Sequence, residues 1–363
     1  MKKSCIFLLV LMLLLSLALA GCSQPTAENP PAENPPAAEQ PEEQESKEEK
    51  KIEYPTEPIQ AYVGFPAGGA TDLIARGVLP LVQEELGIGI GITNMVGAAS
   101  AQAAQHVLDQ APDGYTIFFG SEIMSIWQTM GTIDLNPTRD FIPVYITTQA
   151  VPVLAVPPDS PFNSAEEFIQ YAKDHPGELR IGTAGPGTVP HISGLVLQSE
   201  LGCEFTFVPF QGSSAAITGV MSGEIDATIE MVQTMVEAHK GNKLKILATF
   251  TNEPVEGLED IATMGTLFTE LSDILPYGPY FGVFVSKDTP QEIVDVLRES
   301  VGKVLDDQRW IDYCNNLYLI RADYSGEEAY KFCDEWTSRA AWLLYDAGGG
   351  TSSPEDFGIE RLQ

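Results

Sequence analysis

The chain has 363 residues, 44% of them apolar, and a formal net charge of −31 at neutral pH. Its length allows two domains of ordinary size. So acidic a chain lacks the basic face that phosphate binding needs, so nucleic acid is not expected as a partner. The four histidines show no metal-ligand spacing, so neither a metal nor a cofactor is expected.

Lys2 and Lys3 precede an apolar run of 15 residues, Ile6 to Ala20, which is short for a membrane span. The run ends in Leu19-Ala20-Gly21-Cys22, which resembles a bacterial lipobox. The resemblance implies a signal peptide over 1–21 and a diacylglyceryl group on Cys22; an ordinary signal peptide and an uncleaved anchor helix are the alternatives. Residues 22–52 read as a Pro/Glu-rich tether, lipidated at Cys22 if the lipobox resemblance holds. Within it Ala27-Glu28-Asn29-Pro30-Pro31 recurs as Ala32-Glu33-Asn34-Pro35-Pro36, and too few apolar residues are present to offset ordering. At about 3.1 Å per residue in extended form, the tether reaches on the order of 90 Å. Three cysteines remain beyond it. Cys203, Cys314 and Cys333 read as buried free thiols in preference to a Cys314–Cys333 bridge.

From Tyr54 the composition is globular. An apolar strand, Ile59 to Val63, runs into Phe65-Pro66-Ala67-Gly68-Gly69-Ala70-Thr71-Asp72, where Gly68 and Gly69 permit a sharp turn. Thr71 or Asp72 is expected to cap a helix over Leu73 to Leu86. Pro80 inside that helix is expected to bend it. A strand over Gly87 to Ile92, a helix over Ala101 to Gln110 and a strand over Thr116 to Phe119 complete a β-α-β-α-β series, which implies a parallel sheet. Ligands bind beyond the carboxyl ends of such strands. The Gly68-Gly69 turn, the Gly97 turn and Ser121 all fall at that edge.

A second series follows a strand over Val151 to Val156. Ser164 caps a helix from Ala165 to Lys173. A strand over Leu179 to Thr183 meets the Gly185-Pro186-Gly187-Thr188 turn, and a helix spans Ile192 to Glu200. A strand over Phe205 to Val208 leads into Phe210-Gln211-Gly212-Ser213, with a helix over Ala215 to Ser222. A further strand, Ile225 to Ile229, reaches Glu230. The strand Phe281 to Val285 returns to the first series, and helices cover Ile293 to Leu305 and Glu327 to Tyr345. With crossings near 155 and 285, domain 1 comprises 53–154 plus 283–363 and domain 2 comprises 155–282. The fold class is α/β: a two-lobed periplasmic-binding-protein-like fold with a cleft between two α/β domains.

Catalytic patterns are missing. The Gly68-Gly69 turn has no phosphate-loop lysine, Gly185-Pro186-Gly187 lacks the third glycine of a dinucleotide fingerprint, and no serine lies in a nucleophile elbow. His191 near Thr188 reads as a helix-start or pocket residue in preference to a base, so the chain is not expected to be an enzyme. Phe65 and Phe210, each beside a glycine turn, are candidates to cover a ligand, with core packing as the other reading. Glu230 is open between binding a ligand amine and facing solvent.

Seven segments occur in one order: Tyr54-Pro55-Thr56-Glu57-Pro58-Ile59; the Gly-Gly-Ala-Thr-Asp turn with Ala75-Arg76; the Pro112-Asp113-Gly114-Tyr115 turn; Gly120-Ser121; the Gly185-to-His191 loop; Val208-Pro209-Phe210-Gln211-Gly212; and Gly223-Glu224-Ile225-Asp226. That order resembles the tripartite tricarboxylate transporter receptors, the Bug family of solute-binding proteins, across nearly the whole globular part. The resemblance implies an extracytoplasmic receptor, and the lipobox-like Cys22 adds a lipid anchor, at the cell surface or in the periplasm. It would capture a small carboxylate and deliver it to a permease with one large and one small membrane subunit. A lipoprotein sensor or adhesion protein on the same fold, or a hydrolase using His191, is the alternative. The implied ligand-binding set is Phe65, Ala67, Gly68, Gly69, Thr71, Asp72 and Ser121 from the first lobe. Gly187, Thr188, His191, Phe210, Gln211, Gly212, Ser213 and Glu230 come from the second. Three positions depart from the family pattern: Gly64 where a proline is usual, Gly97-Ala98-Ala99-Ser100 where Gly-Ala-Gly-Gly is usual, and Glu230 where an aspartate is common.

Overall fold

The computed structural model describes residues 53–362 apart from 184, 186 and 211. The leader, Cys22, the tether and Gln211 lie outside the described residues.

The first lobe opens with β1 (Ile59–Val63), α1 (Ala70–Leu86), β2 (Ile90–Asn94), α2 (Ala101–Leu108), β3 (Thr116–Ser121) and β4 (Phe141–Gln149). The second lobe follows with β5 (Pro152–Val156), α3 (Ala165–Asp174), β6 (Arg180–Thr183), α4 (Val189–Leu201), β7 (Thr206–Pro209), α5 (Ser213–Ser222), β8 (Ala227–Met231), α6 (Val232–Lys240), β9 (Lys245–Thr249), β10 (Ala262–Thr263) and α7 (Met264–Leu267). The chain then returns through β11 (Tyr280–Ser286), α8 (Gln291–Leu305), α9 (Gln308–Asn316), β12 (Ile320–Ser325) and α10 (Gly326–Asp346).

Two six-stranded sheets result, ordered β12-β4-β11-β3-β1-β2 and β10-β9-β5-β8-β6-β7. They share one plan. The three strands of each β-α-β-α-β series pair in parallel, β1 between β2 and β3, and β6 between β7 and β8. The strand that arrives from the other lobe then pairs antiparallel with the third member, β11 with β3 and β5 with β8. The parallel part is what the alternating pattern predicts. The antiparallel part comes from the two crossings, which bring in strands running the other way.

Both crossings fall about five residues earlier than the sequence reading placed them. All of Pro152–Val156 pairs within the second sheet, so the chain passes over at Ala150 and Val151. It returns at Tyr277 to Pro279, and the two crossings lie side by side, with the Ala150 N–H donating to the Pro279 carbonyl at 2.9 Å. Strand β4 has no counterpart among the elements expected from the sequence. All nine of its residues are buried, so its face pattern does not alternate, and Pro143 within it reads against a central strand.

The turn chemistry also corrects two boundaries. Helix α1 begins at Ala70 with Gly69 as N-cap and no side-chain cap, two or three residues before the expected cap at Thr71 or Asp72. Gly87 is the left-handed C-cap of α1, with φ 68°, so β2 starts at Ile90 and not at Gly87. Ser164 caps α3 as expected, its hydroxyl accepting from the Glu167 N–H. Ile74, Val78, Leu81 and Val82 of α1 are buried while Pro80 is exposed, which puts the helical apolar stripe on the sheet. One apolar cluster joins residues of both lobes, including Ile59 and Phe118 with Phe168 and Ile181. A second cluster, including Val153, Val220 and Val236, covers the other face of the second sheet. Cys203, Cys314 and Cys333 are buried free thiols.

Candidate functional site

The first lobe presents the loop between β1 and α1. Ala67 and Gly68 are exposed, and Gly68 has φ 81°. The Asp72 carboxylate turns back on this loop and accepts from the Gly68 N–H at 2.8 Å. It also accepts from Arg76 Nε at 2.9 Å and from Asn94 Nδ2 at 2.8 Å. Burial alone would raise this carboxyl, but the hydrogen bonds from Arg76, Gly68 and Asn94 outweigh it and hold the group below the usual carboxylate range. Hydrogen bonds to a charged group contribute roughly 1.5–3 kcal/mol each, so Asp72 serves as the loop's frame and the Gly68 amide is already engaged. The amides of Ala70, Thr71 and Asp72, in the first turn of α1, have no acceptor among the described residues. These are the donors the loop offers an anion. Phe65 is half-buried, belongs to the packing shell of neither core cluster, and has its carbonyl held by Asn94 Nδ2 at 2.9 Å.

The loop after β2 packs against the same turn. Ala98, Ala99 and Ser100 all have positive φ, at 47°, 49° and 75°, a conformation that glycine adopts without cost. Trp127 Nε1 pins it by donating to the Ala99 carbonyl at 2.7 Å. A Cβ at Gly64 would lie 1.9 Å from Ser100 Oγ. Two of the three departures from the family pattern therefore touch: the Ser100 side chain fills the space that any side chain at position 64 would occupy.

Ser121, 2% exposed, ends β3 at the same edge and starts a short 3-10 turn, Glu122–Ile126. Glu122 was not singled out in the sequence. It is half-buried, and burial pushes its carboxyl up to about 7 against hydrogen bonds from Ser121 and its own amide. Its only signal was its place directly after a strand-end serine. Asn94 was also missed; a polar residue at the end of the second parallel strand was the available clue.

In the second lobe, Gly187 is buried with φ 76°. A Cβ there would stand 3.2 Å from Ile126 Cδ1 and from Met130 Sδ, so this loop meets the first lobe at the turn that follows Ser121. The Gly187 N–H donates to His191 Nδ1 at 3.2 Å, and burial pushes the imidazole down from its usual range. His191 stands edge-on to Phe207, 4.8 Å between centroids. The Thr188 hydroxyl donates to the Gly185 carbonyl at 2.7 Å, so Thr188 and His191 do not form a nucleophile–base pair. Phe210 lies over Gly182 and Gly219, with a Cβ at either falling 3.2 or 2.9 Å from its ring, and it packs on the second-lobe core. Core packing is the reading that geometry supports for Phe210. Gly212, with φ 97°, is the N-cap of α5, and Ser213 is its first residue.

Glu230 is the penultimate residue of β8, opposite Val153 of β5, and is 1% exposed. Burial pushes its carboxyl up to about 7, and the Ser213 hydroxyl opposes the shift. Its Oε1 is enclosed with no hydrogen-bond partner. The solvent-facing alternative for Glu230 is thereby removed. Grooves of about 720 and 640 Å³ open elsewhere, one along α10 and one between 251–256 and 311–321; neither is lined by these strand-end loops.

Two matched α/β lobes, each with glycine turns at the carboxyl ends of its parallel strands, and with the Gly187 loop of the second touching Ile126 and Met130 of the first, have the architecture of a solute-binding protein of the periplasmic type. Residues 74–347 match the family model described as tripartite tricarboxylate transporter family receptor, and the chain belongs to that family. The chain is 27% identical over 256 residues to the protein BugT of Bordetella pertussis, covering 69% of this chain and 77% of that one. Among solved structures, a TctC solute-binding protein from Polaromonas, without ligand, is 26% identical; the match covers 81% of this chain and 99% of that one, with a TM-score of 0.70. MatC from Rhodopseudomonas palustris, with bound malate, is also 26% identical, covering 80% and 100%, with a TM-score of 0.66.

Proposed function

We propose that this receptor captures a small carboxylate between its lobes, outside the cytoplasm, and hands it to a membrane permease built from one large and one small subunit. The observation that carries this reading is the pairing of open helix-start amides on one lobe with a glycine loop of the other that reaches the first lobe. Free first-turn amides of α1 stand on one lobe, and the Gly187 loop of the other lobe reaches the turn after Ser121. Amides at a helix start favour an anion without a lysine or arginine. A ligand touching both lobes stabilises the closed arrangement by its differential affinity for it. The malate held by MatC is a carboxylate of the size this reading requires. The contacting set is Phe65, Ala67, Gly69, Thr71 and Ser121 with Gly187, Thr188, His191, Gln211, Gly212, Ser213 and Glu230. Gly68 and Asp72 shape the first loop from behind. Among the described residues no helix is long and apolar enough to cross a membrane, and the lipid on Cys22 would supply the attachment. No step of chemistry is required of the site.

Isothermal titration against a panel of di-, tri- and amino-dicarboxylates is the test. One saturable site for at least one carboxylate is expected. Binding of a sugar or peptide with no carboxylate bound would overturn the reading.

A further inference from the structure

The sheet orders give the molecule a front and a rear. In the first sheet the strands that leave and re-enter the lobe, β4 and β11, stand between β12 and the group β3-β1-β2. In the second, β5 stands between β9 and the group β8-β6-β7. The strand-end loops belong to those two groups and make the front. The start of β12 and the segment after β9 lie on the other side of the crossing strands. Both are level with the crossings, since Ile320 pairs opposite Gln149 and Thr249 opposite Val153. The groove of about 640 Å³ between 251–256 and 311–321 is therefore a rear groove, walled by one lobe on each side. Its walls meet at Tyr318, whose ring packs on the second-lobe cluster and whose hydroxyl accepts from Lys240 Nζ at 3.0 Å. Away from that contact the walls carry opposite charge. Arg321 is exposed on the first-lobe wall and pairs with no carboxylate among the described residues. Glu253 and Glu256 are exposed on the second-lobe wall.

A rotation of one lobe against the other about the crossings acts oppositely on the two sides. Parting the strand-end loops narrows the rear groove. The geometry points to a rear latch: when the front opens, Arg321 comes against Glu253 and Glu256, and this pairing favours the open arrangement. With the Gly187 loop resting on the first lobe, the front is closed and Arg321 stands unpaired. A ligand that closes the front must therefore release the latch, and its affinity is lowered by that amount. An exposed ion pair is modest and screened by salt, so the latch opposes closure without preventing it. The inference rests on the two-lobed capture reading above and adds the element that works against closure.

Hydrogen exchange of the ligand-free full chain reads both sides at once, through peptides over 185–191 at the front and over 251–256 and 318–321 at the rear. The unaltered protein is compared with Arg321→Glu, which puts like charges on the two walls. Arg321→Glu should slow exchange at the front by roughly two- to tenfold, the range of an exposed ion pair turned into a repulsion. It should speed exchange at the rear. Adding Glu253→Arg and Glu256→Arg to Arg321→Glu should restore the original rates on both sides, and Arg321→Lys should keep them. A purely local disturbance would change the rear alone. Unchanged exchange at the front in Arg321→Glu, or a change that the charge-swapped combination does not reverse, overturns the latch. All three positions are exposed, so the variants are expected to fold. No ligand enters this measurement. Failure of the carboxylate panel therefore overturns the capture reading separately, and the exchange rates still decide the latch.

Discussion

Asp72, in the first turn of α1, and Glu230, near the end of β8, are both buried carboxylates, and their surroundings drive them apart. Asp72 receives three kinds of donor and is held ionised; Glu230 is left with one unfilled oxygen and rises to about 7. The first completes a loop, and the second stays desolvated. This difference sets a pH dependence. The folded pKa of Glu230 lies above its ordinary value of 4.5, so between those two values the folded protein binds more protons than the unfolded chain. Stability therefore falls as pH rises through that window. The shift corresponds to about 3 kcal/mol at most. Urea unfolding of the ligand-free protein at pH 5 and pH 8 should show this loss, and Glu230→Gln should lose less over the same range. His191 works in the opposite direction, since its lowered pKa adds stability as pH rises, so the difference between protein and variant is the quantity to read. An identical pH dependence in the two proteins would refute the assignment.

At the scale of the element, the loop after β2 shows how two departures from a family pattern compensate. Each non-glycine residue held at positive φ costs roughly 1–2 kcal/mol, and Ala98, Ala99 and Ser100 all carry that cost. Helix α2 nevertheless starts there because its first-turn amides find acceptors within the loop, Ala101 to the Ala98 carbonyl and Gln102 to the Gly97 carbonyl. Ser100 then rests on Gly64, where no side chain fits. A double-mutant cycle measures that contact. Gly64→Ala alone should destabilise by about 1–3 kcal/mol through overpacking. Ser100→Gly should be neutral or stabilising, because it relieves the positive φ and removes an enclosed hydroxyl without a partner. The double variant should recover most of the loss, with a coupling of at least about 1 kcal/mol. Strictly additive effects in chemical denaturation would show that Ser100 does not fill the space beside Gly64.

For the whole molecule, the shared apolar cluster decides how the lobes unfold. It runs from β1 and β3 of the first sheet to α3 and β6 of the second, and α10 of the first lobe packs on α4 of the second. Lobes joined in this way should unfold together. The four tryptophans, Trp127, Trp310, Trp336 and Trp342, all lie in the first lobe, whereas backbone circular dichroism reports on both. Coincident fluorescence and dichroism transitions are expected in urea; a dichroism phase after or before the fluorescence change would mean that the second lobe melts separately.

Much of this architecture was legible in the chain. Glycine turns between apolar strands and helical stripes determined two parallel α/β series, because those signals act over a few neighbouring residues. Ser164 as a cap and the strand end at Ser121 were of the same kind. The sequence also determined the family, through the order of its seven short segments. Tertiary structure alone decided the rest. Strand β4, buried along its whole length and holding Pro143, carries no alternation to read, and its place between β11 and β12 depends on chain returning from more than a hundred residues away. The contact of Gly64 with Ser100, the meeting of Gly187 with Ile126 and Met130, and the commitment of Phe210 to the core are all long-range packing. Glu230 shows the division most plainly: its position at a strand end is local and visible in the sequence, while its burial and its unfilled oxygen exist only once β5, α5 and α6 have closed around it.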